Sequence, residues 1–301
     1  MLTLSEALPA AARTTAAFRE EYPFQPRFLA QPGGLQHYVD EGPQEAPAVL
    51  CVHGNPTWSF LYRRVVEALA PTRRVVAPDH LGCGLSEKPQ GWSYRLADHI
   101  DNLERLVLHL GLERITLVVH DWGGAIGAGL AVRRPDLIER LFIMNTAAFP
   151  AAHIPLRIAA CRIPGLGPLM VRGLNAFAHA AVHMAVEQPG SMTPVVRKGL
   201  LAPYGSWQER VAVQRFVEDI PMSPEHPSHA TLQRIDRGLR QLRGKPVRLA
   251  WGMRDWCFTP AFLEMWERRF PLAETLRVED AGHYLLEDAP ERVLPWLVEW
   301  C

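Results

Sequence analysis

The sequence is short of cysteine, of net charge and of long apolar runs, and each shortage excludes something. Five cysteines occur in 301 residues, at Cys51, Cys83, Cys161, Cys257 and Cys301. The number is odd and no pair has metal-knuckle or redox spacing, which excludes a disulfide framework and fits a reducing cytoplasm. Several lie inside apolar runs, where a free thiol behaves as a small hydrophobe. Lysine plus arginine total 32 and aspartate plus glutamate 32, a net charge of zero. Such a balance offers no electrostatic case for nucleic acid or for an acidic membrane surface. Nowhere do about 18 apolar residues follow one another, so no membrane-spanning helix is expected. The first residues are interrupted by Glu6, Arg13, Arg19 and Glu20, so no secretory signal is expected. There is no internal repeat and no low-complexity tract. The histidines are scattered without ligand spacing, so no metal is expected. Gly82-x-Gly84 lacks the third glycine and the helix of a dinucleotide fingerprint, so no cofactor is expected either.

What is present is an apolar chain, 48% hydrophobic, long enough for one large core with a sizeable insertion. Residues 1–27 read as a short helix and a proline-punctuated arm. A hairpin turns at Pro32-Gly33-Gly34. Short apolar strands follow at 48–53, 74–77, 115–119 and 140–144, separated by helical patterns at 60–69 and 96–110. Strand alternating with helix is the order of a parallel sheet covered on both faces. After Phe149-Pro150 the strands stop, and proline- and glycine-broken helical pieces run to about residue 240. Strands resume at 247–251 and 275–278, and a helix over 290–300 closes the chain. The reading is an α/β fold with a mostly parallel eight-stranded sheet. Residues 1–149 and 241–301 form the core, and 150–240 an inserted helical cap.

The organising stretch is Ile115 to Gly129, ITLVVHDWGGAIGAG. An apolar β-branched run leads to His120-Asp121, then Trp122-Gly123-Gly124, then a small-residue helical pattern over 125–134. Strand, sharp turn and helix is the setting of a nucleophile elbow, with Asp121 where a serine usually stands. Alone, Asp121 reads first as a helix N-cap. Ligands in open α/β sheets bind beyond the carboxyl ends of the strands, and four polar residues stand at strand exits: Asn55, Asp121, Asp255 and His283. The last three follow the order nucleophile, acid, histidine. A carboxylate can displace a leaving group from carbon and form an ester. Imidazole is a base suited to neutral pH, and a second carboxylate can hold its tautomer. Each also has a structural alternative. Asn55 before Pro56 is a turn residue, Trp122 fills a core, Asp255 caps a helix and His283 is a satisfied buried histidine. His53 and Asp79 read as structural, bracing the loops beside them.

HGNPTW at 53–58, PDHLGCGLSEKP at 78–89, VVHDWGG at 118–124, WGMRD at 251–255 and AGHYLLED at 281–288 together resemble the haloalkane dehalogenase family of α/β-hydrolases. The likeness runs from residue 24 to 300. Within the family it is similar to the third subgroup, which also contains the cis-β-lactone decarboxylases of an olefin pathway. Asn145-Thr146 stands where another subgroup carries its triad acid, which directs that role to Asp255. The resemblance implies Asp121 as nucleophile, His283 as base and Asp255 as its partner. Asn55 and Trp122 become halide-binding donors whose backbone amides form an oxyanion hole. It implies a small apolar organic substrate and water as partners, with no nucleic acid and no membrane insertion. Haloalkane hydrolysis leads, β-lactone decarboxylation is the alternative, and epoxide hydrolysis is third. Epoxide opening needs cap tyrosines, and the cap offers Tyr204 alone. Phe149, Met170, Phe177, Met184 and Trp207 are the candidate pocket residues.

Overall fold

A computed structural model describes residues 2–151 and 153–301. Its sheet has eight strands: β1 (Arg27–Gln31), β2 (Gly34–Glu41), β3 (Ala48–Val52), β4 (Arg74–Pro78), β5 (Ile115–Asp121), β6 (Ile138–Thr146), β7 (Val247–Gly252) and β8 (Glu274–Val278). Their order across the sheet is β1-β2-β4-β3-β5-β6-β7-β8. β1 and β2, and β2 and β4, pair antiparallel; every later pair is parallel. β3, β4 and β5 are buried at every position, which is why they read as continuous apolar runs without alternation.

One face of the sheet packs on α3 (Leu96–His109) and α4 (Trp122–Arg133), through residues such as Ile100, Leu103, Ile126 and Leu130. The other packs on α2 (Arg63–Leu69) and the closing helix Pro290–Trp300, through Val65, Leu69, Val293 and Leu297. Helix α4 begins at Trp122, directly after Asp121, rather than at residue 125. β6 extends beyond the expected 140–144 because Ile138 pairs with Ile115 and Asp121 with Thr146 across a register shift. The added length puts Asn145 and Thr146 beside the end of β5.

Between β6 and β7 the chain is helical, as the sequence reads. Ile158, Val171, Ala178, Tyr204 and Val213 gather in a small core of its own. Its last helix, His229–Gly238, behaves differently: it packs on α3 and α4 and puts Leu232 and Ile235 into the core of the sheet. No helix among the described residues is long and apolar enough to cross a membrane.

Candidate active site

The central strands end side by side, and their exits carry the polar residues. β3 leads to Asn55, β5 ends on Asp121, β6 carries Asn145, β7 leads to Asp255 and β8 to His283. At the apex of the turn Asp121 has φ 52°, a conformation that non-glycine residues adopt only under constraint. The constraint is close packing. A Cβ on Gly54 would lie 2.0 Å from Asp121 Oδ1, and one on Gly123 would lie 1.9 Å from the Val52 carbonyl oxygen. The glycine pair after Trp122 therefore serves backbone approach. Asp121 does not act as a side-chain N-cap of α4.

Its two carboxylate oxygens are unequal. Oδ1 accepts from the Asn55 backbone N–H at 2.6 Å, and the Trp122 N–H also donates to the carboxylate. Oδ2 lies 3.7 Å from His283 Nε2, beyond hydrogen-bond range. The Thr146 hydroxyl donates to the Asp121 carbonyl and pins the strand end.

His283 Nδ1 donates to Asp255 Oδ2 at 2.8 Å. Asp255 is itself held: Oδ1 accepts from the Cys257 and Phe258 N–H groups at 2.6 and 3.0 Å, and Oδ2 accepts from Asn145 Nδ2 at 2.9 Å. The structure thus brings Asp121, His283 and Asp255 together.

Three supporting residues were not among the expected site residues. Asn145 bridges β6 and β7, accepting from the Gly252 N–H at 2.9 Å while donating to Asp255. The Phe258 ring stacks on His283 at 5.6 Å. His120 Nε2 donates to the His283 carbonyl at 2.8 Å, and burial takes its pKa down to about 3, so it stays neutral. His53 and Asp79 are structural, as read. His53 accepts from the His80 N–H and contacts the Gly54 carbonyl. Asp79 accepts from the N–H groups of Ser59 and Leu85.

The three ionisable groups are coupled. Burial pushes the Asp121 carboxyl up, and the pull of His283 and the two amides does not fully offset it. Burial would raise Asp255, but the His283 charge and hydrogen bond, with the two amides, hold it below its ordinary value. Burial would lower His283, but the charge and hydrogen bond of Asp255 and the charge of Asp121 hold it above its ordinary value. The sign gives a prediction. Removing the Asp121 charge withdraws one support of the imidazolium, so Asp121→Asn lowers the His283 pKa. Imidazole NMR titration reads this directly: wild type titrates above 6.5, the variant at lower pH. An unchanged midpoint would show that the two groups do not interact.

Above Asp121 lies a cavity of about 420 Å³, lined by apolar side chains including Phe149, Met170, Phe177 and Met184. Trp207 does not line it; it lies 42% exposed with the Arg172 guanidinium over its ring. On the cavity floor Asn55 Nδ2 donates to the Val213 carbonyl at 3.1 Å, and Asn55 Oδ1 has no partner. Trp122 also lines the cavity. A buried carboxylate held by backbone amides on the wall of an apolar cavity suits nucleophilic attack on carbon.

Residues 47–187 match the model of the α/β-hydrolase fold family. The chain is 43% identical over 279 residues to the cis-3-alkyl-4-alkyloxetan-2-one decarboxylase of Shewanella oneidensis, covering 90% of this chain and 86% of that one. It is 35% identical over 282 residues to haloalkane dehalogenase 2 of Mycobacterium bovis, covering 92% and 95%. Among solved structures, haloalkane dehalogenase DbeA from Bradyrhizobium elkani superposes with a TM-score of 0.81 at 28% identity, over 91% of this chain and 96% of that one. Fold, strand order and these relatives agree, and the chain belongs to the haloalkane dehalogenase family of α/β-hydrolases, within the group that includes the cis-3-alkyl-4-alkyloxetan-2-one decarboxylases.

Proposed function

We propose that Asp121 is a nucleophile toward saturated carbon and that the substrate is a cis-3,4-dialkyl β-lactone. One observation carries the nucleophile: Oδ1 accepts the Asn55 backbone N–H while Oδ2 stands 3.7 Å from His283 Nε2, and Asp121 lines an apolar cavity. The identity to the Shewanella decarboxylase, 43% against 35% for the dehalogenase, supports the lactone as substrate.

In the first step Oδ2 attacks C4 of the ring. The C4–O bond breaks, its electron pair stays on the departing carboxylate, and an alkyl ester forms on Asp121. Trp122 Nε1–H and the Asn55 amide are the donors for that anion. In the second step the C3–carboxylate bond breaks and its electrons form the C3=C4 double bond. The C4–O bond to Asp121 breaks in turn and restores its carboxylate. Carbon dioxide and an alkene leave, and no water is consumed.

Haloalkane hydrolysis is the second reading, favoured by DbeA and the M. bovis relative. It shares the first step, with halide leaving. His283, oriented by Asp255, then activates water to attack the ester carbonyl. The oxyanion develops on Oδ1, where the Asn55 backbone amide already donates. Epoxide opening has no support, since no tyrosine lines the cavity among the described residues. Tyr204 is fully buried, its hydroxyl 3.4 Å from the Thr57 carbonyl.

Residues 150–240 serve as the lid in this reading, with the helix Ala176–Met184 over Asp121 and the helix His229–Gly238 anchoring the insertion on the core. The five thiols, all free, fit a cytoplasmic setting. The test is incubation with cis-3,4-dialkyl β-lactones and with a haloalkane panel. Alkene and carbon dioxide in equal amounts are expected. Halide without alkene would transfer the assignment to the dehalogenase reading, and neither product would sink both.

A further inference from the structure

The lid carries an outward face that the reaction does not use. Leu156 is 88% exposed, Leu169 56% and Leu174 69%, and Ile163 and Leu166 are also exposed. Ile163, Leu166 and Leu169 recur every three residues through the compact turns of 163–173, where the Gly167 N–H donates to the Ile163 carbonyl and that of Leu169 to Gly165. Leu166 and Leu169, three apart in the helical turns Leu166–Pro168 and Leu169–Gly173, are neighbours on one face, and Ile163 is exposed just before them. A Cβ on Gly173 would touch both Leu169 and Trp207, so the half-exposed indole continues the patch, with Arg172 stacked on it. Soluble monomers rarely expose so many aliphatic side chains together.

Charge on this stretch is one-sided. Between Glu139 and Glu187 there is no acidic residue, while Arg157, Arg162 and Arg172 lie within it. The overall balance of 32 against 32 conceals a cationic, apolar lid. The same segment also reaches the cavity: Arg157, Ile158, Cys161 and Met170 line it.

We propose that this lid face docks on an anionic lipid bilayer surface, so that an apolar substrate passes from the membrane into the cavity. The clause about substrate rests on the function proposed above; the docking does not. Exposed leucines between arginines, with a tryptophan at the edge, are the composition of an interfacial membrane contact. A protein interface favours aromatic anchors within a polar rim, and here the exposed side chains are chiefly aliphatic.

The experiment is flotation of the full chain with vesicles of phosphatidylcholine alone or with roughly a third phosphatidylglycerol, an anionic surface. Binding to the anionic vesicles is expected, weaker binding to the neutral ones, and partial loss in high salt. The triple variant Leu166→Glu/Leu169→Glu/Leu174→Glu should bind at least about tenfold more weakly. Leu272→Glu, at a site 90% exposed on the loop before β8, should bind as wild type. Both should turn over a short, water-soluble substrate normally, which shows that they fold. Asp121→Ala should bind vesicles undiminished, so failure of the proposed chemistry is read separately. The proposal is overturned if wild type floats with neither vesicle or if the triple variant binds equally well. Concentration-dependent self-association that the triple variant abolishes, without vesicle binding, would overturn it in favour of a second copy of the chain.

Discussion

Asp121→Asn is expected to lower turnover by about 10⁴-fold or more, because in the proposed mechanism its carboxylate makes the first bond to carbon. The substitution preserves shape. The asparagine side-chain oxygen can still accept from the Asn55 backbone amide that holds Oδ1, so the elbow should persist. Thermal stability should stay level or rise. Burial holds the Asp121 pKa up, which means that the ionised carboxylate is unfavourable in the fold at neutral pH, and a neutral amide relieves that. Low activity with an undiminished Tm is therefore the signature of a lost nucleophile, whereas low activity with a lower Tm would indicate damage to the turn. Intact-mass measurement establishes that the amide has not reverted to acid. Multiple turnover above about a hundredth of wild type would remove Asp121 from the chemistry.

His283→Ala should separate the two substrates. With a haloalkane the first step still occurs, but the ester has no base to activate water, a role typically worth 10²–10⁴-fold. About one equivalent of halide per enzyme should appear in a burst, and the mass of the protein should rise by the alkyl group. With a β-lactone the ester carries its own carboxylate, which leaves as carbon dioxide and returns the electron pair to Asp121. Alkene should therefore form over many turnovers, slowed by no more than about tenfold. Some slowing is expected, since the imidazolium no longer opposes the rise in Asp121 pKa caused by burial. If alkene formation fell as steeply as halide hydrolysis, the direct collapse of the ester would be wrong.

Much of this is legible in the amino-acid sequence. Full burial of β3, β4 and β5 left a continuous apolar signature, and the residues at strand exits follow from the topology. The elbow is legible as strand, sharp turn and helix, but the source of its backbone conformation is not. The φ of 52° at Asp121 is written in the packing of Gly54 and Gly123 against their neighbours, and a glycine pair in sequence reads as a turn. His120 escaped because it acts through a main-chain carbonyl 163 residues away, a contact with no residue-type signature. The sequence marks Asn145 only as a position without a carboxylate, and its bridge to Asp255 depends on β6 running two residues beyond its apolar run. Trp207 reads from sequence as a pocket residue, but it lies 42% exposed beside outward leucines, so this lid has two apolar sides.

The pairing of Asp121 with His283 also works as an interlock. While the carboxylate is free, its charge favours a protonated imidazole, and a protonated imidazole cannot activate water. Once the oxygen is alkylated that charge is gone, and the ring releases its proton more readily. In the mechanism proposed, forming the intermediate thus strengthens, or arms, the base that its own hydrolysis requires. A substrate whose ester collapses unaided has no need of the arming step, so the same pair of residues could be inherited by both chemistries without rebuilding the site.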